Sequence, residues 1–152
     1  EHPEQLQILV DDPGLIPDAC EEILRYNPAF VCMRRTVMQD VEVAGVQMKE
    51  GDKLLLHWHL INQDDKVFDD PMRFDITRAQ RMPTLAREHR AFGVGTHFCI
   101  GAHLARLEMQ VIFEELLPRL RNPQFAEPVK YVRDYFVNGI KEMNITFDPE
   151  LR

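Results

Sequence analysis

The sequence predicts a mixed α+β chain, on three observations. Helical spacing bounded by prolines opens it, short strand-like runs fill residues 31–60, and one long amphipathic segment follows Cys99. With 152 residues, 45% of them hydrophobic and 28% charged, the chain has the balance of one globular domain, 1–152, around one core.

Pro3 sits where a first helical turn tolerates proline, and Leu6, Ile8, Leu9 and Val10 follow before Asp12-Pro13-Gly14 breaks the segment. A second helix starts at Pro17-Asp18, with Ala19, Cys20, Ile23 and Leu24 as its apolar side and Asn27-Pro28 as its stop. Val41-Glu42-Val43, Val46-Gln47-Met48 and Leu54-Leu55-Leu56, punctuated by Ala44-Gly45 and Glu50-Gly51-Asp52, read as a small antiparallel sheet. Residues 62–90 are polar, carry Asp70-Pro71 and Met82-Pro83, and read as a long irregular loop. A long helix is expected from about Cys99 to Leu117, burying Leu104, Leu107, Val111, Ile112, Leu116 and Leu117. Two tail strands, near 129–132 and 144–147, flank Asn138-Gly139, a dipeptide that favours a tight hairpin turn.

The net charge of −7 and the lack of a basic stripe argue against nucleic acid, whose phosphates need clustered Lys and Arg. Three cysteines without close pairs fit a reduced compartment, so a cytoplasmic setting is expected. No apolar run approaches the ~20 residues of a membrane helix, so no membrane association is expected.

The chemistry concentrates in Phe92-Gly93-Val94-Gly95-Thr96-His97-Phe98-Cys99-Ile100-Gly101, which runs straight into the long helix. Gly93, Gly95 and Gly101 permit tight turns and close approach of a flat ligand, and Cys99 at the positive end of a helix favours a thiolate. Taken alone, such a cysteine is a nucleophile, a metal ligand or a small buried residue. A phosphatase-like loop needs its arginine nearer than Arg106, and a zinc site built on His97, Cys99 and His103 lacks a further ligand cluster.

The stretch from Phe92 through Gly101, continued by Leu104-Ala105-Arg106, resembles the haem-binding signature of the cytochrome P450 family. The resemblance implies the C-terminal part of the mainly α-helical P450 fold, with small antiparallel sheets, an irregular loop before the cysteine and a long helix after it. It implies that Cys99 is the axial thiolate of the iron of haem b. Glu22 and Arg25 resemble the family's Glu-x-x-Arg pair, completed by Arg78 into an ion cluster; read without the family, they are a surface pair of a few tenths of a kcal/mol. Arg35 and His97 match donors to the haem propionates. Histidine at position 97, where membrane-bound members more often carry arginine, resembles the soluble bacterial branch.

By the same resemblance, Val31, Met33, Phe136 and Val137 are substrate-pocket candidates, and the activity is oxidation of an apolar small molecule with O2 and electrons from a ferredoxin-type donor. That donor is expected to dock near Cys99 on His89, Arg90 and Arg106. Complete members are more than twice as long, so the chain is expected to lack an N-terminal portion that carries the distal wall. Exposed apolar area and self-association of the isolated chain follow. The alternative is a truncated, non-catalytic haem-binding or interaction fragment.

Overall fold

A computed structural model describes residues 2–148. Two helices open the chain, α1 (Pro3–Asp11) and α2 (Ile16–Tyr26), joined by a single 3-10 turn over Pro13–Leu15. Pro3 occupies the first turn of α1. The Asp12 carboxylate accepts the Gly14 N–H at 3.0 Å, which turns the chain into α2. Asn27-Pro28 stops α2, since the residue before proline avoids the helical region.

Strand β1 (Cys32–Thr36) pairs antiparallel with β4 (Lys53–His57), and between them β2 (Val41–Val43) and β3 (Val46–Met48) form a hairpin. Ala44 and Gly45 both take positive φ, 50° and 80°, as a two-residue turn matched to strand twist requires. Trp58, at the start of the short helix α3 (Trp58–Ile61), donates its N–H to the Val31 carbonyl at 2.9 Å and ties β4 to the chain after α2.

Residues 62–90 contain two helical turns that the sequence reading missed, α4 (Arg78–Arg81) and α5 (Leu85–Glu88). At four residues each they are too short to show a period.

The long helix is α6 (Ala102–Leu116), so it begins three residues after Cys99, with Gly101 as its N-cap. Its expected buried stripe is corrected: Leu104, Leu107, Val111, Ile112 and Leu116 are exposed, each between 41% and 58%. The face that packs carries Met109, Phe113 and Leu117, set against a core of Leu9, Ile16, Ala19, Cys20 and Ile76 from α1, α2 and the loop. α6 has apolar residues on both sides, and of the expected stripe only Leu117 lies on the packed one.

The tail is also corrected. Strand β5 (Arg121–Phe125), missed because Asn122-Pro123 reads as a stop, pairs with β8 (Ile145–Asp148) across a register shift between Arg121 and Gln124. Within this pair β6 (Lys130–Tyr131) pairs with β7 (Ile140–Glu142). Asn138-Gly139 makes no tight turn, since neither residue has positive φ. The Asn138 N–H instead donates to the Ala29 carbonyl at 2.8 Å, and Val31 N–H to the Phe136 carbonyl at 2.9 Å.

Candidate functional site

The loop before α6 is shaped by its backbone. Gly93 and Gly95 hold φ of 74° and 69°, where a side chain is strained, and a 3-10 turn covers Gly95–His97. The Cys99 N–H donates to the Phe92 carbonyl at 2.9 Å, closing residues 92–99 into a compact arch. Gly101 differs: its φ of −85° suits any residue, and a Cβ there would lie 3.8 Å from the Cys99 sulfur.

The three cysteines separate by environment. Cys20 and Cys32 are buried, and Cys99 is exposed. Burial, followed by the nearby charges of Glu21 and Glu114, raises the Cys20 thiol to about 11, so it stays protonated and inert. His97, Cys99 and His103 do not converge on a metal site, since among the described residues no three His, Cys, Asp or Glu side chains do. The zinc reading loses its geometry.

Beneath the arch lies a cluster that sequence reasoning missed. Glu21, on α2, accepts from Arg106 Nε at 2.6 Å and Nη2 at 3.0 Å, and its second oxygen lies 2.8 Å from His89 Nε2. The Arg106 guanidinium carbon stands 4.7 Å from the centre of the Phe92 ring, cation over aromatic face. Burial pushes the Glu21 carboxyl up, but hydrogen bonds and charge from His89 and Arg106 outweigh it and hold the group down at about 2. These contacts correct the expected docking surface. His89 is 4% exposed and Arg106 is clamped, so neither offers free charge to a partner. A shallow cavity of about 350 Å³ lies on this side, lined among others by Ala86, Arg90, Phe92, Val94 and Phe98.

Adjacent Glu22 serves a second, fully buried cluster. Its carboxylate accepts from Arg25 Nε at 2.7 Å and Nη2 at 2.8 Å, and from Arg78 Nε at 3.1 Å. Neither Glu22 nor Arg25 is a surface residue, both side chains being 0% exposed. The remaining guanidinium donors go to main-chain carbonyls: Arg25 to Asn62, Pro71 and Arg73, and Arg78 to Asp69, Asp70 and Arg73. Residues 62–78, without regular structure for most of their length, wrap their carbonyls around two arginines. Helical geometry explains the division of labour, because adjacent residues on α2 point about 100° apart and reach different neighbours.

The other sequence candidates take no part in these two clusters. Arg35 is exposed on β1, opposite Leu54, and lines a cavity of about 310 Å³ with Val41, Val43 and Met48. His97 is exposed at the end of the 3-10 turn. Val31, Met33, Phe136 and Val137 are all half-buried, and the Phe30 and Phe136 rings lie 5.0 Å apart where the chain after α2 meets the tail.

Compared with known proteins, residues 14–143 match the family model described as Cytochrome P450. The chain is 40% identical to Cytochrome P450-terp of a Pseudomonas species over 96% of its own length and 33% of that protein. It is 35% identical to Linalool 8-monooxygenase of Pseudomonas putida, over 99% of this chain and 36% of that one. Among solved structures, cytochrome P450 CREJ superposes with a TM-score of 0.88 at 35% identity, over 97% of this chain and 36% of that chain. P450BioI in complex with an acyl carrier protein ligated to hexadec-9Z-enoic acid gives 0.89 at 35% identity, over 97% and 37%. The chain thus spans about a third of the length of the relatives it matches.

Proposed function

The chain belongs to the cytochrome P450 family, and on that premise we propose that it forms the thiolate side of a haem monooxygenase acting on an apolar small molecule. The observation that carries the reading is Cys99, an exposed thiol in a glycine arch. The surroundings fit a flat apolar ring bound through its metal: Val94 is 51% exposed, Phe98 48% and Ile100 102%, and no side chain fills the space at Gly95.

In this reading Cys99 would ligate the haem iron through its sulfur, and Phe92, Gly93, Gly95 and Gly101 would leave the room that the cofactor needs beside it. Bound haem b supplies oxygen activation, to which an axial thiolate lends electron density. Arg35 and His97 would hold the propionates as hydrogen-bond donors. Glu22, Arg25 and Arg78 fix the loop that leads to Cys99, a structural role. Val31, Met33, Phe136 and Val137 face the substrate, for which the relatives named Linalool 8-monooxygenase and Steroid C26-monooxygenase support an apolar class. The distal wall comes from a portion N-terminal to these residues.

Electrons come from a ferredoxin-type donor in the cytoplasm. Of the basic residues by the arch, exposed Arg87 is its contact, with Arg90, whose guanidinium also lies 3.6 Å from Glu88, beside it; His89 and Arg106 are engaged by Glu21. Among the described residues no helix is long and apolar enough to cross a membrane.

The test is an absorption spectrum of the chain mixed with haemin, reduced, and exposed to carbon monoxide, beside a Cys99→Ala variant. The expected result is a red-shifted Soret band that the variant loses. The same band in both would remove Cys99 from the role.

A further inference from the structure

We propose that Glu21 is a positioning residue for Cys99, acting through the Arg106 guanidinium that it clamps against the Phe92 ring. The inference rests on the reading of Cys99 as the haem thiolate. Its geometry spans three elements: Glu21 on α2, Arg106 on α6, and Phe92 at the root of the arch.

The Phe92 ring meets partners on several sides. Arg106 stands 4.7 Å from its centre, Phe98 packs against it in a T-shape at 6.3 Å, and the His89 ring lies 6.2 Å away. Its main-chain carbonyl is the acceptor of the Cys99 N–H at 2.9 Å. Whatever fixes Phe92 therefore fixes the hydrogen bond at the base of the ligand.

Arg106 cannot hold that place unaided. A long side chain resting on a ring by cation–π attraction has several rotamers open to it, and a two-pronged carboxylate removes that freedom. Glu21 supplies the carboxylate, with its side chain 13% exposed and its second oxygen engaged by His89. Among the described residues, no buried side-chain polar atom lacks a partner, so the cluster's buried donors and acceptors are satisfied. Glu21 also places a cation, not a neutral group, behind the ring under Cys99. The ferrous state carries one more negative charge than the ferric, so a fixed cation nearby favours reduction.

The test measures the midpoint reduction potential of the haem-loaded, full-length protein, with the carbon monoxide spectrum recorded alongside. Arg106→Met should shift the ferric–ferrous equilibrium toward ferric by about tenfold, about 59 mV for a one-electron couple. Glu21→Gln separates positioning from charge. Removing an anion by itself would raise the potential, whereas freeing Arg106 from the ring should lower it. A fall supports the proposal, and a rise or an unchanged value overturns it. If Glu21→Gln does not take up haem, Arg106→Lys decides: lysine keeps the charge but cannot make the two-pronged bond to Glu21, so the equilibrium should still move toward ferric by about threefold or more. A lysine variant with the wild-type potential overturns the proposal. A wild-type protein without the red-shifted band removes the haem-thiolate reading itself, a different failure from an unaltered potential in protein that shows the band.

Discussion

Glu22 on α2 and Arg78 at the start of α4, 56 residues apart in sequence, meet with 3.1 Å between Oε2 and Nε, both buried. Two arginines and one carboxylate out of water are tolerable only because loop carbonyls take the other donors. Removing Glu22 leaves two uncompensated cations in the interior, and removing Arg78 takes a donor from Glu22 and strands the buried loop carbonyls of Asp69, Asp70 and Arg73. Arg78→Met and Glu22→Gln should each destabilise the fold by about 3–5 kcal/mol in urea unfolding. Losses below about 1 kcal/mol, the value of an exposed pair, would mean that the cluster does not hold the loop.

Acid sensitivity should trace partly to Glu21. Burial raises its carboxyl, yet bonds and charge from His89 and Arg106 bring it from an ordinary 4.5 to about 2. A folded-state value below the unfolded one means that the stabilising contribution is complete above about 4.5 and is lost as pH falls toward about 2. Asp75, raised by burial but held to about 2 by Thr77 and Arg81, adds a loss of the same sign below its ordinary 3.8. Urea midpoints across this range should fall less steeply for Glu21→Gln than for wild type. Parallel slopes would show that Glu21 has no such contribution.

Gly95 and Gly101 should respond oppositely to alanine. At Gly95 nothing lies within 4 Å of an added Cβ, so the penalty is backbone strain alone at φ 69°, about 1–2 kcal/mol. At Gly101 φ is −85° and an alanine meets only the Cys99 sulfur at 3.8 Å, so stability should change by less than about 0.5 kcal/mol. Its effect should show in the haem spectrum, where the added methyl group lies in contact with the Cys99 sulfur. Thermal melts and carbon monoxide spectra of the two variants check the crossover; a Gly101→Ala protein with a wild-type spectrum would mean that the space beside sulfur is not required.

The legible parts of the molecule were those whose signal is local. Proline stops bounded α2, Ala44-Gly45 marked the β2–β3 turn, and the Phe92–Gly101 spacing marked the arch. Signals that depend on distant partners failed. Asn138-Gly139 carries the composition of a hairpin, but the chain spends its backbone on Ala29 and Val31 instead. Glu21 carries no signal of its own beside Glu22, and nothing in the spacing between positions 21 and 106 ties one to the other. Arg106, read as free charge, was bound for the same reason.

α6 presents the same ambiguity as a solution property. Its inward face, Met109, Phe113 and Leu117, is spaced at i, i+4 and i+8 and packs on α2. Leu104, Leu107 and Val111 lie on the opposite face, exposed at 58%, 57% and 46%, with Ile112 at 52%. Such a contiguous stripe is larger than the scattered apolar residues of an ordinary surface, and water contact drives it toward any apolar partner, a second copy included. The 152-residue chain should therefore self-associate at micromolar concentration. Leu104→Gln with Leu107→Gln should shift it toward monomer in sedimentation velocity without lowering its unfolding midpoint, because neither side chain contributes to the core. If the parent chain already sediments as a monomer, the stripe does not drive association. Association unchanged in the double variant would assign it to another surface.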